Sequence, residues 1–260
     1  MAPTAEQKSI IIKLAKDNPA QFGWHLFQIL KDPENISMTV VDGSFLFRHN
    51  TTISTFGHLG TIKNLLQKYP FEIGERLKII FPSHHLPVIK KRFENFDLLD
   101  ESGSGDFNNL QIMELEKSVF VPRRQAKNGK KLKKDLIDQL TEDENLIEFV
   151  KKGGIAYGII EDAELRSYAS VPYILQNPRE NLSFAILDKL WTHPDYRGQG
   201  YATGSVRSVF NFLFTRKAIK HIYAWIEEKN EPANLILDSL GFSRSGMEWI
   251  GTMGFVKDIR

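Results

Sequence analysis

Residues 189–203 read KLWTHPDYRGQGYAT, and the reading of the whole chain turns on this stretch. An apolar strand ends at Thr192. A turn with Pro194 and Asp195 follows, and residues 197–202 lead straight into a helix predicted from Thr203 to Lys217. Gly198 and Gly200 remove side chains where main chain must approach a ligand closely. A helix start presents unpaired N–H groups to one point, and the helix dipole adds partial positive charge there. Arg197 adds a full one. Such a site suits a pyrophosphate. The competing explanation is a helix start whose glycines serve only tight turning. Other phosphate motifs fit poorly: Thr203 stands where the dinucleotide fingerprint needs a third glycine or alanine, and no Gly-Lys-Ser/Thr is present.

The surrounding pattern is mixed α/β. Upstream, a strand is expected at Leu110–Phe120. It is followed by two helices, from about Leu136 and from Thr141, and by Gly153 and Gly154. Strands at Ile155–Glu161 and Leu165–Leu175 flank a turn at residues 162–164, and Leu182–Thr192 reads as one long strand. Downstream come a strand at His221–Glu227, a helix at Pro232–Leu240 ended by Gly241, and a β-rich tail at Phe242–Phe255.

With HPDYRGQGYA at 193–202, followed by a strand and NEPANLILDSLGF at 230–242, the chain resembles the GNAT superfamily of acyl-CoA N-acyltransferases. The resemblance covers roughly Leu110 to Phe255. It implies a GNAT-like mixed-sheet fold in a domain at 110–260. It does not explain the first hundred residues, where a smaller α/β domain is expected at 1–105, although some GNAT proteins resemble this one in carrying such a domain in front. It also implies acetyl-CoA as acyl donor. Backbone groups of Leu190, Trp191 and Thr192 would pair with the pantetheine arm as an added strand. N–H groups of Arg197, Gly198, Gln199, Gly200, Tyr201, Ala202 and Thr203 would hold the pyrophosphate, with Asn230 contacting the pantetheine or ordering the strand end. The implied reaction is N-acetyl transfer to an amine by direct attack in a ternary complex. The alternative is a regulatory module that binds acyl-CoA without turnover.

Acyl transfer needs a neutral amine, a donor to the thioester oxygen and an exit for the thiolate. Many GNAT proteins resembling this one place an acidic tyrosine in the last helix, where this chain has Leu237. Ser239, Tyr201 and Tyr223 are the substitutes for that acid. For a base, Asp188 leads, ahead of His193 and Glu161. Thus Asp188, Tyr223 and Ser239 are the candidate catalytic residues. Trp191 and Trp225 either line the cleft or pack in the core.

The remaining sequence sets limits. The 260 residues are 42% hydrophobic and 25% charged, with a net charge of +2, which gives no argument for nucleic acid or membrane. No cysteine is present, which removes disulfides, thiolate metal sites and a thiol nucleophile. His58, His84 and His85 do not form a metal pattern, so no metal is expected. Residues 123–134 carry seven basic residues and 135–148 six acidic ones. The run reads as solvated surface, or as steering for an anionic partner. No apolar run suits a signal peptide or a span. The expected setting is cytoplasmic. The expected partner is a small-molecule amine, with a protein acceptor and a homodimer as further options.

The N-terminal region reads as helices at residues 10–15 and 20–30, then strands at 37–56 with a turn at Asp42-Gly43. A helix at Gly60–Tyr69, a strand at Leu77–Phe81 and a helix at Leu86–Phe96 follow. The polar stretch Leu99–Asn109 is the expected linker. A diverged copy of the C-terminal fold is one reading of this region.

Overall fold

Thr4 starts the first helix. Its hydroxyl accepts the Gln7 amide and the Gln7 side chain returns to the Thr4 amide, a closed capping box. That helix, α1 (Ala5–Asp17), ends at Asn18, whose side chain caps α2 (Pro19–Lys31). The structure is a computed structural model that describes residues 2–97, 107–122, 127–244, 246 and 248–258. The expected linker lies largely outside the described residues. Two units emerge: Met1–Ile112 with Glu227–Lys229 and Gly246–Arg260, and Met113–Ile226 with Asn230–Ser245.

In the first unit, α2 leads into three antiparallel strands, β1 (Ile36–Val41), β2 (Ser44–His49) and β3 (Thr52–Phe56). Helix α3 (Leu59–Lys68) then crosses to β4 (Arg76–Pro82), which pairs parallel with β3. Next come α4 (Leu86–Arg92) and β5 (Phe93–Asp97), so the helix expected to reach Phe96 stops four residues earlier at Arg92. Phe93 turns inward, fully buried, and the chain extends. Strand β6 (Asn108–Glu116) begins in this unit. The chain's last strand, β15 (Trp249–Val256), pairs antiparallel with β4 from Trp249↔Pro82 to Phe255↔Arg76. The sequence reading kept that tail with the C-terminal domain because it follows in the chain. Strand pairing ignores such adjacency, and the buried Ile250 and Val256 join the cluster around Ile79, Phe81 and Ile89.

The second unit holds the rest of β6 and two sheets. Strand β7 (Lys130–Lys131) pairs with β8 (Ile155–Glu161), and β8 with β9 (Glu164–Val171). Between β7 and β8 stand a short 3-10 turn (Ile137–Gln139) and one α-helix, α5 (Glu144–Lys151), where two helices were expected. Strand β10 (Tyr173–Asn177) pairs with β11 (Leu182–Leu187). The chain then passes Asp188 into β12 (Lys189–Thr192), which pairs with β9 in the other sheet. The single strand expected over Leu182–Thr192 is therefore two strands that part at Asp188. After the turn come α6 (Tyr201–Arg216), β13 (His221–Glu227), α7 (Glu231–Ser239) and the short β14 (Ser243–Arg244). One face of α6, with Val206, Val209, Phe210 and Leu213, packs on Ala185, Ile222 and Ala224 and on Leu237 of α7. Among the described residues, no helix is long and apolar enough to cross a membrane.

Candidate functional site

The parting at Asp188 creates the site. β11 and β13 run parallel from Phe184↔His221 to Leu187↔Ala224, and there the pairing ends. Beyond it β12 follows β9, while β13 continues through Trp225 to Glu227. The two strands thus form a fork. On one side β12 is fastened: the His193 amide donates to Arg166 O at 2.9 Å, and the Ser167 hydroxyl donates to Trp191 O at 2.8 Å. Backbone groups alternate along a strand. With Trp191 and His193 turned to β9, Leu190 and Thr192 present theirs to the opposite edge. Among the described residues, no strand pairs there.

The turn after β12 is held from its inner side by a run of rings in tilted and edge-on contact. Tyr168 and Trp191 lie 5.7 Å apart, Trp191 and His193 6.1 Å, His193 and Tyr196 5.5 Å, and Tyr196 and Tyr201 5.5 Å. Arg166, only 8% exposed at its side chain, stacks its guanidinium over Tyr196 at 4.2 Å and pairs with Glu164 and Asp162. Lys127 sits 3.0 Å from the Tyr201 ring centroid, and the Tyr201 hydroxyl donates to Glu161. Such ring pairs and cation contacts contribute about 0.5–1.5 kcal/mol each. Asp143 accepts from the Tyr168 hydroxyl at 2.8 Å and caps α5 through the Leu146 amide. Burial raises the Asp143 pKa. The Leu146 and Tyr168 hydrogen bonds and the Lys189 charge outweigh that and hold it below the usual carboxylate value.

With its rings turned inward, the turn presents main chain outward. Arg197, Gly198, Gln199 and Gly200 are all exposed. Gly198 and Gly200 have φ of +72° and +79°, the left-handed region that favours glycine, and a Cβ at either would meet nothing within 4 Å. Gly200 stands at the N-cap of α6 with no side-chain cap, so the first-turn amides of Tyr201, Ala202 and Thr203 lack intrahelical partners. Arg197 Nε reaches Thr192 O at 3.4 Å and Gln199 Nε2 reaches Asp195 O at 3.1 Å, closing the turn on itself. Open space, exposed amides, a helix N-terminus and a free strand edge therefore adjoin. These residues fit an extended ligand carrying phosphates.

The other expected residues are placed variously. Leu190 is half-buried against the α6 core and Trp191 against the cluster of Leu146, Val150 and Tyr168, so the indole packs rather than lining the fork. Asn230 caps α7 through the Ala233 amide at 3.2 Å. Asp188 is exposed at the parting point. Tyr223 is buried, and its hydroxyl donates to Glu114 at 3.1 Å. Burial first, then the Glu114 charge and hydrogen bond, push that phenol well above its ordinary value. Ser239 is exposed and gives its hydroxyl to Ile236 O at 2.7 Å. Leu237 is fully buried in the core. Glu114, Glu116 and His221 bring ligand atoms within 4.8 Å of one another, but Glu114 is already bonded to His221 and Tyr223. The sequence reading missed Arg166, Tyr196 and Lys127 as supports of the turn. The placing of two tyrosines and a tryptophan within a few residues was its only signal.

Residues 124–243 match the family model described as Acetyltransferase (GNAT) domain. No curated protein sequence matches the chain at a significant level. Solved structures share the fold at low identity. A Drosophila protein is 14% identical with a TM-score of 0.63, covering 98% of each chain. A putative GNAT-family acetyltransferase from Novosphingobium aromaticivorans is 17% identical with a TM-score of 0.53, covering 82% of this chain and 89% of its own. A tandem GNAT protein from the clavulanic acid biosynthesis pathway is 13% identical with a TM-score of 0.54, covering 100% of this chain and 99% of its own.

Proposed function

We propose that the fork at Asp188 binds acetyl-CoA and that its acetyl group passes to an amine, a reading supported by the match of residues 124–243 to the GNAT acetyltransferase domain model. The observation that carries this reading is the juxtaposition of the free β12 edge with the exposed turn at 197–200. In this reading the outward backbone groups of Leu190 and Thr192 take the pantetheine amides. The amides of Gly198–Thr203 and the Arg197 guanidinium take the pyrophosphate. The bound donor supplies a thioester carbonyl; the amine nitrogen gains the acyl group and loses a proton, and the thiol leaves.

Of the polar groups considered for that proton, Asp188 is the best placed. It is exposed, and it stands where the two strands part. Tyr223 is a buried donor to Glu114, and the Ser239 hydroxyl is committed to its own helix. We assign neither to proton transfer. Proximity in the fork supplies much of the rate, and a thiolate of ordinary pKa near 8.5 leaves without a protein acid. The acceptor proposed is a small amine in a cytoplasmic setting, with a protein amine as the variant.

The test is thiol release from acetyl-CoA across a panel of amines, amino acids and peptides. Release with at least one acceptor, reduced ten-fold or more in kcat by Asp188→Asn with KM for acetyl-CoA unchanged, is the expected result. Leu237, buried where the family's tyrosine is expected, favours a second reading, an acyl-CoA-binding regulatory module. Tight binding with no release across the whole panel would select it.

A further inference from the structure

The first unit runs through a succession of elements like that of the second, which carries β10 and β11 in addition between β9 and β12. An antiparallel hairpin, β1–β2 in one and β8–β9 in the other, is joined by a further antiparallel strand, β3 or β12. A helix follows, α3 or α6, then a strand in parallel pairing: β4 with β3 in the first unit, and β13 with β11, the strand that leads into β12, in the second. Another helix succeeds it, α4 or α7. In both units the parallel pair comes apart before its end. In the first, pairing stops at Ser54↔Ile80, and Thr55 and Phe56 leave β4.

The two forks differ in what stands between their arms. In the second unit the residue capping the helix after the fork is Asn230, with its side chain turned back onto α7. The residue at the same place before α4 is His85, and it makes no capping bond. Its ring is fully buried and spans to the other arm. Nε2 lies 2.9 Å from Gly57 O, and Nδ1 lies 2.8 Å from the Thr55 hydroxyl. A carbonyl only accepts, so Nε2 carries the proton and Nδ1 accepts from Thr55. Burial pushes the ring's pKa down to about 4, so the imidazole is neutral and satisfied at both nitrogens. It ties up the Thr55 hydroxyl and, just past the end of β3, the Gly57 carbonyl, and so its ring stands between the arms where an added strand would enter.

The turn differs in the same sense. Only Gly57 and His58 join β3 to α3, with no arginine and no Gly-x-Gly. A Cβ at Gly57 would lie 2.3 Å from the Ser44 hydroxyl, which itself accepts the His58 amide at 2.9 Å. This turn is clamped onto β2, whereas the turn at 197–200 faces open space.

We infer that the first unit is a diverged copy of the acyltransferase fold whose fork is sealed by His85, so that the chain takes one acyl-CoA and not two. The inference rests on the acyl-CoA reading of the second fork.

Two measurements on the full chain test it. Calorimetric titration with coenzyme A should give one equivalent per chain, lost in the double variant R197A/G200V, whose folding is checked by circular dichroism. Two equivalents in the wild type, or one surviving in the double variant, would overturn it. Independently, proton NMR should show a slowly exchanging His85 Nε2–H, identified by its absence in H85N. A His85 ring that exchanges freely and titrates like a solvent histidine would overturn the seal. A protected His85 proton with no coenzyme A bound to the wild type would uphold the seal and contradict the acyl-CoA reading instead.

Discussion

Replacing Gly204 with alanine sets two effects of known size against each other. Gly204 lies in the first turns of α6 and is fully buried in a helix, where alanine is favoured over glycine by about 1 kcal/mol. Its missing Cβ, however, would stand 2.5 Å from Lys127 O and 2.8 Å from the Ile159 Cδ1 methyl. Non-bonded heavy atoms rest at roughly 3.5 Å or more, so about 1 Å must be recovered. The Ile159 methyl can rotate away. The Lys127 carbonyl cannot, because its segment is tied down by the Gly129 amide on Ser208 Oγ at 2.8 Å and by the Lys130↔Gly158 pairing. Overpacking of this kind costs about 1–3 kcal/mol, and an unyielding backbone contact puts it at the upper end. The expected net loss is about 1–2 kcal/mol, or a fall in Tm of roughly 2–8 °C. With the Lys127 segment fixed, the strain falls on the start of α6, so affinity for coenzyme A should weaken as well. Urea and thermal unfolding with a coenzyme A titration read both. A G204A protein about 1 kcal/mol more stable than wild type, binding unchanged, would refute the packing described between Lys127 and α6.

Gly200→Ala should weaken acetyl-CoA binding several-fold and lower stability by no more than the backbone strain it introduces. The new Cβ meets nothing, but φ of +79° costs a non-glycine residue about 1–2 kcal/mol, so the turn would relax out of shape; unchanged affinity would count against the turn as the phosphate cradle. Tyr168→Phe should cost about 1 kcal/mol in urea unfolding at neutral pH. Asp143 is held below its ordinary value of 3.8, so its contribution is present above that pH and is lost as pH falls through the folded value; the difference from wild type should narrow in acid. His25 is buried against Ser54, and desolvation, partly offset by its Gln21 hydrogen bond, takes its pKa from 6.5 to about 3. The unfolded chain binds a proton there that the folded chain refuses. Stability should therefore be complete above about pH 6.5 and fall toward pH 3, by up to about 1.4 kcal/mol per unit, with His25→Gln flattening the slope.

The turn at 193–203, helix α6 and helix α7 were legible because each is written locally, in glycine and proline positions, whereas the capping role of Asn230 was not read. The parting of β11 from β12 was not. Leu182–Thr192 keeps a strand-like apolar pattern throughout, and Asp188 reads as a lone charge whether or not the chain changes sheets there. Arg166 and Tyr196 lie 30 positions apart, and no spacing rule announces that one stacks on the other. The last strand was assigned by adjacency, whereas Trp249–Val256 finds its partner in Arg76–Pro82. His85 looked like half of a loop histidine pair. Its role appears only once Thr55 and Gly57 are brought beside it by the β3–β4 pairing.

Backbone amide NMR during titration with acetyl-CoA tests the central claim most directly. The largest shifts should fall on Leu190, Thr192 and Gly198–Thr203, saturating together, with Thr55, Gly57 and His85 unmoved. Saturable binding that leaves Gly198–Thr203 unshifted, or no binding at all, would contradict it.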